Sequence, residues 1–307
     1  MQSELTFIFT MLPSKLRIGT RSSPLALKQT HLFESSLSKE LYIKTEIVPM
    51  ITSGDQITDR PLAEVGGKGL FAKELERALL NGEIDCAVHS LKDLEHTFHP
   101  DLLLVAVLPR ETPWDVLVSA KNISLIALKE GASIGTCSPR RKIQLQRFRP
   151  DLNIVMVRGN VQTRLAKLKS GEMDGLILAQ AGLRRLQMED IITEVIPLDV
   201  MIPAVGQGVI AIQTRKDDVD LNQALHKIND QQTFQEIKAE RTMLQTVQGD
   251  CYTPIGGYAT MIEGQIHLTG MLADHRSCWY ATHQGIDPEE VGYNVGNQLK
   301  KLAGWSQ

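Results

Sequence analysis

Aromatic side chains make up only 5% of this 307-residue chain, and its four cysteines are widely scattered. With 42% hydrophobic residues but so little aromatic surface, Leu, Ile, Val and Ala must fill the core, the palette of helices packed on strands rather than of a β-sandwich. Cys86, Cys137, Cys251 and Cys278 form no Cys-X-X-Cys pair, so neither a disulfide framework nor a metal site is expected, and a reducing cytoplasm is the expected setting. The longest apolar run, Leu102 to Leu108, falls far short of the ~20 residues that cross a bilayer. The N-terminal stretch has an apolar patch from Leu5 to Leu12 but neither a basic n-region nor a small-residue cleavage site, so secretion is not expected. Residues 1–15 are read as an extension outside the fold.

Positive charge is what one segment has in excess. The chain carries a net charge of −3, yet Thr136 to Arg185 holds eight Arg and three Lys against Asp151, Glu172 and Asp174, a local surplus of +8. That segment suits an anionic ligand. The arginines are interleaved with strand and turn patterns, without an accompanying aromatic series, so a small molecule with several carboxylates or phosphates fits better than nucleic acid. Preference for Arg over Lys points the same way, because a planar guanidinium grips a carboxylate with two parallel bonds.

Short β-branched runs alternate with segments of helical period. Strands are predicted near 16–20, 45–50, 84–88, 103–107, 115–119, 133–136, 153–158, 174–178 and 208–213, and helices near 24–39, 68–81, 139–148, 160–170 and 180–187. This alternation predicts a parallel, doubly wound α/β architecture. Beyond Lys216 the pattern changes to helices at 219–229 and 232–247, strand runs at 252–261, 264–272 and 277–283, and a last helix from Asp287 to Leu302, which reads as a small α+β domain with an antiparallel sheet. An internal echo links Ile18-Gly19-Thr20-Arg21-Ser22-Ser23-Pro24 with Ile134-Gly135-Thr136-Cys137-Ser138-Pro139. In both, a strand ends at Gly-Thr, Ser stands at the helix N-cap and Pro follows at the first helical position, so two similar lobes are implied. Each such helix start offers N–H groups to an anion.

Three motifs carry chemistry. Val88-His89-Ser90-Leu91-Lys92-Asp93 places an acid, a base and a hydroxyl after a buried strand; taken alone, His89 reads as a hydrogen-bonded structural residue and Asp93 as a cap. Thr52-Ser53-Gly54-Asp55 ends another strand. Gly66-Gly67-Lys68-Gly69-Leu70-Phe71 has the freedom of a loop but not the spacing of a phosphate-binding P-loop.

These residues, with Arg21-Ser22-Ser23-Pro24-Leu25-Ala26, Gly135-Thr136, Ser138, Arg140-Arg141, Arg158-Gly159-Asn160-Val161, Thr163-Arg164-Leu165, Ala181-Gly182-Leu183, Arg185, Pro203 to Gly208 and Cys251 before Pro254-Ile255-Gly256, resemble the porphobilinogen deaminase (hydroxymethylbilane synthase) family from about residue 16 to 260. The resemblance implies two lobes like those of periplasmic anion-binding proteins, a first from 16–110 and 205–226 and a second from 111–204. A third domain, 227–307, would carry a cysteine that holds a dipyrromethane cofactor through a thioether. It implies an enzyme that joins four porphobilinogens head to tail with loss of ammonia, with porphobilinogen and the growing oligopyrrole as partners. Neither nucleic acid nor membrane is expected to bind, and a monomer is expected.

By the same resemblance, Asp93 is the catalytic group and Cys251 the attachment point. Lys92, Lys68, Asp55, Thr136, Ser138, Arg140, Arg141, Arg158 and Arg164 are implied at the cofactor, and Arg21, Ser23, Arg158, Arg164 and Arg185 at the substrate. Arg147, Arg149 and Arg184 are left as surface residues. The chain departs from the family pattern at Glu64, Glu95, Pro139 and Gly249-Asp250; three of these place an acid near sites meant for acidic ligands, and weaker cofactor affinity or slower turnover is the expectation. Two other readings stand beside this one: a non-catalytic two-lobed anion-binding protein, and a nucleic-acid binder using the +8 segment. If Cys251 anchors the cofactor, intact mass spectrometry should find the protein heavier than its sequence by two linked pyrrole units and the Cys251→Ala variant at its sequence mass; extra mass in the variant would remove Cys251 as the anchor.

Overall fold

The computed structural model describes residues 12–41, 43–56, 69–248, 253–275 and 277–305. Lys68, Glu64, Gly249, Asp250 and Cys251 lie outside the described residues, as does the extension before Leu12. The chain runs through β1 (Lys15–Arg21), α1 (Pro24–Glu40), β2 (Lys44–Met50), α2 (Lys73–Leu80), β3 (Cys86–Ser90), β4 (Leu102–Val107), β5 (Asp115–Ser119), β6 (Ser133–Gly135), α3 (Pro139–Phe148), β7 (Asn153–Val155), α4 (Val161–Lys169), β8 (Gly175–Ala179), α5 (Gln180–Arg185), β9 (Glu194–Val195), β10 (Ile210–Arg215), α6 (Val219–His226), α7 (Gln231–Val247), β11 (Ile255–Ile262), β12 (Gln265–Ala273), β13 (Cys278–Gly285) and α8 (Pro288–Ala303). A single helical turn, Ser53–Gln56, follows β2, and a 3-10 turn, Leu91–Asp93, follows β3.

The described chain divides into two compact units. One takes the residues up to Gln56, Gly69–Arg110 and Val209–Phe234; the other takes Glu111–Gly208 and the residues from Gln235 onward. In the first unit five strands order as β2-β1-β3-β10-β4, with β1 parallel to both β2 and β3. Both faces are covered. Phe33 and Leu37 of α1 and Leu221 and Leu225 of α6 pack with Ile18, Val88 and Ile212 in one core, while Leu75 and Leu79 of α2 pack with Ala87 in another. Leu12 packs against the first core and Lys15 opens β1, so the fold begins before residue 16.

In the second unit the order β7-β6-β8-β5-β9 repeats the plan, with β6 parallel to β7 and β8. Alternate residues feed opposite cores: Val116, Val118, Leu176 and Leu178 meet α4 and α5 through Leu165 and Leu183, while Leu117 and Ile177 meet α3 through Leu145. The third sheet, β11-β12-β13, is antiparallel and packs Ala259, Leu268 and Ala281 against Met243 of α7 and Val295 of α8. Among the described residues no helix is long and apolar enough to cross a membrane.

Parallel pairing holds only for the first three strands of each large sheet. β10 runs antiparallel to β3 and β4, and β5 runs antiparallel to β8 and β9. These are the strands by which the chain re-enters the first unit and enters the second, and neither follows a helical crossover from its sheet neighbour. Nothing therefore imposes the parallel sense. The two-residue β9 is too short to show a period in sequence, and the segment predicted as strand through 158 stops at Val155.

β11 would otherwise expose one edge. Pro203 O accepts from Gly257 N at 2.9 Å, and α7 turns Glu240 and Glu236, one helical turn apart, onto the next outward N–H groups, Ala259 at 2.8 Å and Met261 at 3.0 Å. Glu240, 0% exposed, also accepts from Gly206 N at 2.7 Å. Glu240→Ala should leave two buried N–H groups without their acceptor and cost about 3 kcal/mol in urea unfolding; a loss under about 1 kcal/mol would mean that another group takes over the edge.

Candidate active site: arginines and carboxylates at the strand ends

Open α/β sheets bind ligands beyond the carboxyl ends of their parallel strands. In the first unit those ends carry Arg21 (β1), Asp55 (after β2) and Asp93 (after β3). Arg21 grips Asp55 with two bonds, Nε to Oδ2 at 3.2 Å and Nη2 to Oδ1. Its Nη1 lies 3.6 Å from Asp93 Oδ2, and the guanidinium sits 4.3 Å from the centre of the Phe71 ring. Thr52 adds Oγ1 and N to Asp55 Oδ2 at 2.7 and 3.3 Å. Burial alone would raise the Asp55 pKa, but the bonds from Arg21 and Thr52 outweigh it and hold the carboxyl below its ordinary value. Glu74 of α2 in turn accepts from Ser53 N at 2.9 Å, fixing the turn that carries Asp55.

Ser23 caps α1 by accepting from Ala26 N, and Ser138 caps α3 by accepting from Arg141 N, each with Pro at the start of its helix. The internal echo is thus a pair of matched helix starts, and Pro139 fits the position without cost. Lys92 stands exposed on the 3-10 turn beside Asp93, and Glu95 is half-buried, with Oε1 facing the Cα side of Gly69.

The second unit repeats the arrangement with arginines. After β6, Thr136 Oγ1 accepts from Ser138 N at 3.1 Å. After β7 come buried Arg158 and half-buried Arg164, whose Nε donates to Gly159 O at 2.7 Å. After β8, Arg185 is 9% exposed and donates from Nη2 to Gly208 O at 2.7 Å. That carbonyl also accepts from Glu111 N, an approach only glycine allows: φ at Gly208 is +87°, and a Cβ would lie 2.2 Å from Glu111 O. Burial pushes the Arg185 pKa down to about 10, so it stays charged at neutral pH. No carboxylate pairs with it within 4 Å among the described residues.

Arg140 and Arg141 are buried and share the carboxylate of Asp115, a residue the sequence analysis did not single out. Of the arginines left as surface residues, Arg147 lies exposed over the Tyr280 ring and Arg184 is exposed between Glu111 and Glu189. Arg149 is different: it donates to Leu125 O, Ile126 O and Leu128 O and pairs with Asp151, so it braces a loop rather than facing solvent.

The chain is thus of the class of mixed α/β proteins that carry cationic side chains at the carboxyl ends of their parallel strands, where such sheets bind ligands. The family model "Porphobilinogen deaminase, dipyromethane cofactor binding domain" matches residues 16–223, and "Porphobilinogen deaminase, C-terminal domain" matches residues 234–301. The porphobilinogen deaminase of Syntrophomonas wolfei is 47% identical over 297 residues, 94% of this chain and 96% of that protein. Those of Geobacillus kaustophilus and Desulfitobacterium hafniense are each 46% identical, covering 90% and 92% of this chain and 90% and 93% of theirs. The chain belongs to the porphobilinogen deaminase family. Among solved structures, the periplasmic VFT2 domain of Bordetella pertussis BvgS aligns at 16% identity and a TM-score of 0.43 over 74% of this chain and 91% of that one.

His89 is buried beside Gln213, and its Nε2 has no partner among the described residues. Burial pushes its pKa down to about 4; neighbouring Gln213 opposes the shift and the charge of Arg21 adds to it. The unfolded chain therefore binds a proton that the folded one refuses between about pH 6.5 and 4. Stability from this group is complete above pH 6.5 and should fall by roughly 3 kcal/mol as the pH drops to 4. Urea midpoints at pH 7.5 and 4.5 check this: the acid loss should be smaller in His89→Gln, and equal losses would place its origin elsewhere.

Proposed function

We propose that this chain condenses four porphobilinogens head to tail, releasing ammonia at each step, and delivers hydroxymethylbilane for tetrapyrrole synthesis. Membership of the family supports the transferase activity. The observation that carries the geometric side is Arg185, a buried guanidinium whose hydrogen-bond acceptor among the described residues is a carbonyl. A buried cation of this kind needs an anion, and each pyrrole of substrate and product bears two carboxylates.

The same test supports the cofactor. Arg140 and Arg141 share one carboxylate, leaving the buried cluster with net positive charge, which fits a dipyrromethane bearing acetate and propionate groups. When bound, that group supplies the pyrrole carbon on which the chain grows. In this reading Cys251 holds it as a thioether, and Thr136, Ser138, Arg140, Arg141, Arg158, Arg164, Lys92, Lys68 and Asp55 surround it, with Arg21, Ser23 and Arg185 joining Arg158 and Arg164 on incoming substrate. Helix-start N–H groups of α1 and α3 add fixed donors.

Asp93 is the catalytic group. Loss of ammonia from porphobilinogen leaves a cation spread over the pyrrole, and a fixed carboxylate lowers the barrier by opposing that charge. The same oxygens accept pyrrole N–H bonds, take the proton that the coupled ring loses and pass a proton to the leaving amine. Arg21, held away by its two bonds to Asp55, leaves Asp93 only a 3.6 Å contact, so the Asp93 carboxylate keeps acceptor capacity for the substrate. We further assign a first domain (16–110 and 205–226), a second (111–204) and a third (227–307), acting as a cytoplasmic monomer that does not bind nucleic acid.

Asp93→Asn keeps the shape and removes the charge. Ammonia release should fall at least about 100-fold while intact mass still shows the loaded cofactor, and Asp55→Asn should cost less. Near-normal turnover in Asp93→Asn would move the catalytic role to another group.

A further inference from the structure

Asp115 opens β5, and because β5 runs antiparallel to β8, it lies opposite Ala179, the last residue of β8. An acid at the start of one strand is thereby delivered to the carboxyl end of its parallel-sheet neighbour, where ligands bind. The side chain is fully buried. Oδ1 accepts from Arg141 Nε at 2.9 Å, Arg141 Nη2 at 2.7 Å and Gln207 Nε2 at 3.1 Å; Oδ2 accepts from Arg140 Nη1 at 2.7 Å. Backbone carbonyls complete the cage, Ile202 O on Arg140 Nη1 at 2.6 Å and Ile177 O on Arg141 Nη1 at 2.9 Å.

The cluster is electrostatically incomplete. One carboxylate faces two guanidiniums, leaving a buried charge of +1, which is costly unless a further anion arrives. Both hydrogen bonds of Arg140 leave from Nη1, so its Nε and Nη2 have no acceptor among the described residues although the side chain is only 6% exposed.

We propose that Asp115 is a positioning residue: it locks Arg140 and Arg141 so that Nε and Nη2 of Arg140, which bond no described residue, meet a carboxylate of the pyrrole cofactor. The inference rests on the reading of Arg140 and Arg141 as cofactor-holding residues. Asp115 acts through the arginines and touches neither cofactor nor substrate. Gln207 supports it, donating to Asp115 and to Pro113 O at 2.6 Å from one amide nitrogen.

The sign of one effect separates orientation from charge. If the arginines act as a diffuse field, removing an acid raises the cluster to +2 and strengthens anion binding; if Asp115 orients them, binding weakens. Full-length protein produced without porphobilinogen is incubated with porphobilinogen, and loading is followed by intact mass. Protection by citrate, a tricarboxylate probe, is read in parallel from thermal melting. Asp115→Asn should load about tenfold more slowly and lose the citrate shift, with Asp115→Glu recovering part of both. Leu176→Ala, a cavity in the same sheet, should load like wild type. Loading of Asp115→Asn at or above the wild-type rate overturns the proposal, as does equal slowing in Leu176→Ala. Should Asp115→Asn fail to fold, Gln207→Leu, which spares all three charges, takes its place: loading slowed about threefold supports the proposal, and unchanged loading overturns it. Arg140→Leu keeps the two failures apart. Normal loading there removes the underlying reading; slow loading there with normal loading in Asp115→Asn removes only the role of Asp115.

Discussion

A guanidinium taken out of water must find acceptors, and at Arg140, Arg141 and Arg185 the described residues offer fewer carboxylates than guanidiniums. Asp115 serves both Arg140 and Arg141, and among the described residues Arg185 hydrogen-bonds one carbonyl. Desolvation of each cation is costly, and the partial pairing inside the protein offsets only part of it. On the proposed function, the unmatched remainder is what a ligand carrying several carboxylates would complete. In the first unit the balance reverses: Arg21 stands between two carboxylates, bonded to Asp55 and 3.6 Å from Asp93.

Sheet topology distributes these roles. The orders β2-β1-β3-β10-β4 and β7-β6-β8-β5-β9 put three parallel strands side by side in each unit, and each of the six strands ends at or just before a residue of the candidate site. The antiparallel strands do different work. β5 brings Asp115 to the ligand end of β8, and β10 sets Ala211 opposite His89. Helix starts at Ser23-Pro24 and Ser138-Pro139 are matched in capping as well as in sequence, so each unit also presents the positive end of a helix.

Much of this was legible in the sequence because it is local. The period of Leu75, Ala78 and Leu79 marks α2, the Ser-Pro pairs mark the starts of α1 and α3, and the alternation of apolar runs with helical segments marks the two α/β sheets. Asp115 gave no such signal. A lone acid after a tryptophan at the head of an apolar strand carries no motif, and its partners Arg140, Arg141 and Gln207 stand 25 to 92 positions away. Glu236 and Glu240 looked like ordinary polar positions on a helix, yet they close a sheet edge. Arg149 was misread for a related reason: charge and spacing do not distinguish a solvated arginine from one that gathers three carbonyls.

The sequence by itself determined most of the elements, the two-lobed plan with its small third sheet, the surplus of arginine between Thr136 and Arg185, and the family, because each is written in neighbouring residues or in ordered motifs. Only the tertiary structure decided how the charges pair. Strand direction, helix crossing and the approach of Gly208 to Glu111 determine which acid meets which guanidinium, and a shift of a few ångströms separates an arginine paired with a carboxylate from one bonded to a carbonyl. Electrostatic pairing in a buried site depends on distance and solvent exclusion, and neither is a property of residues read in order along a chain.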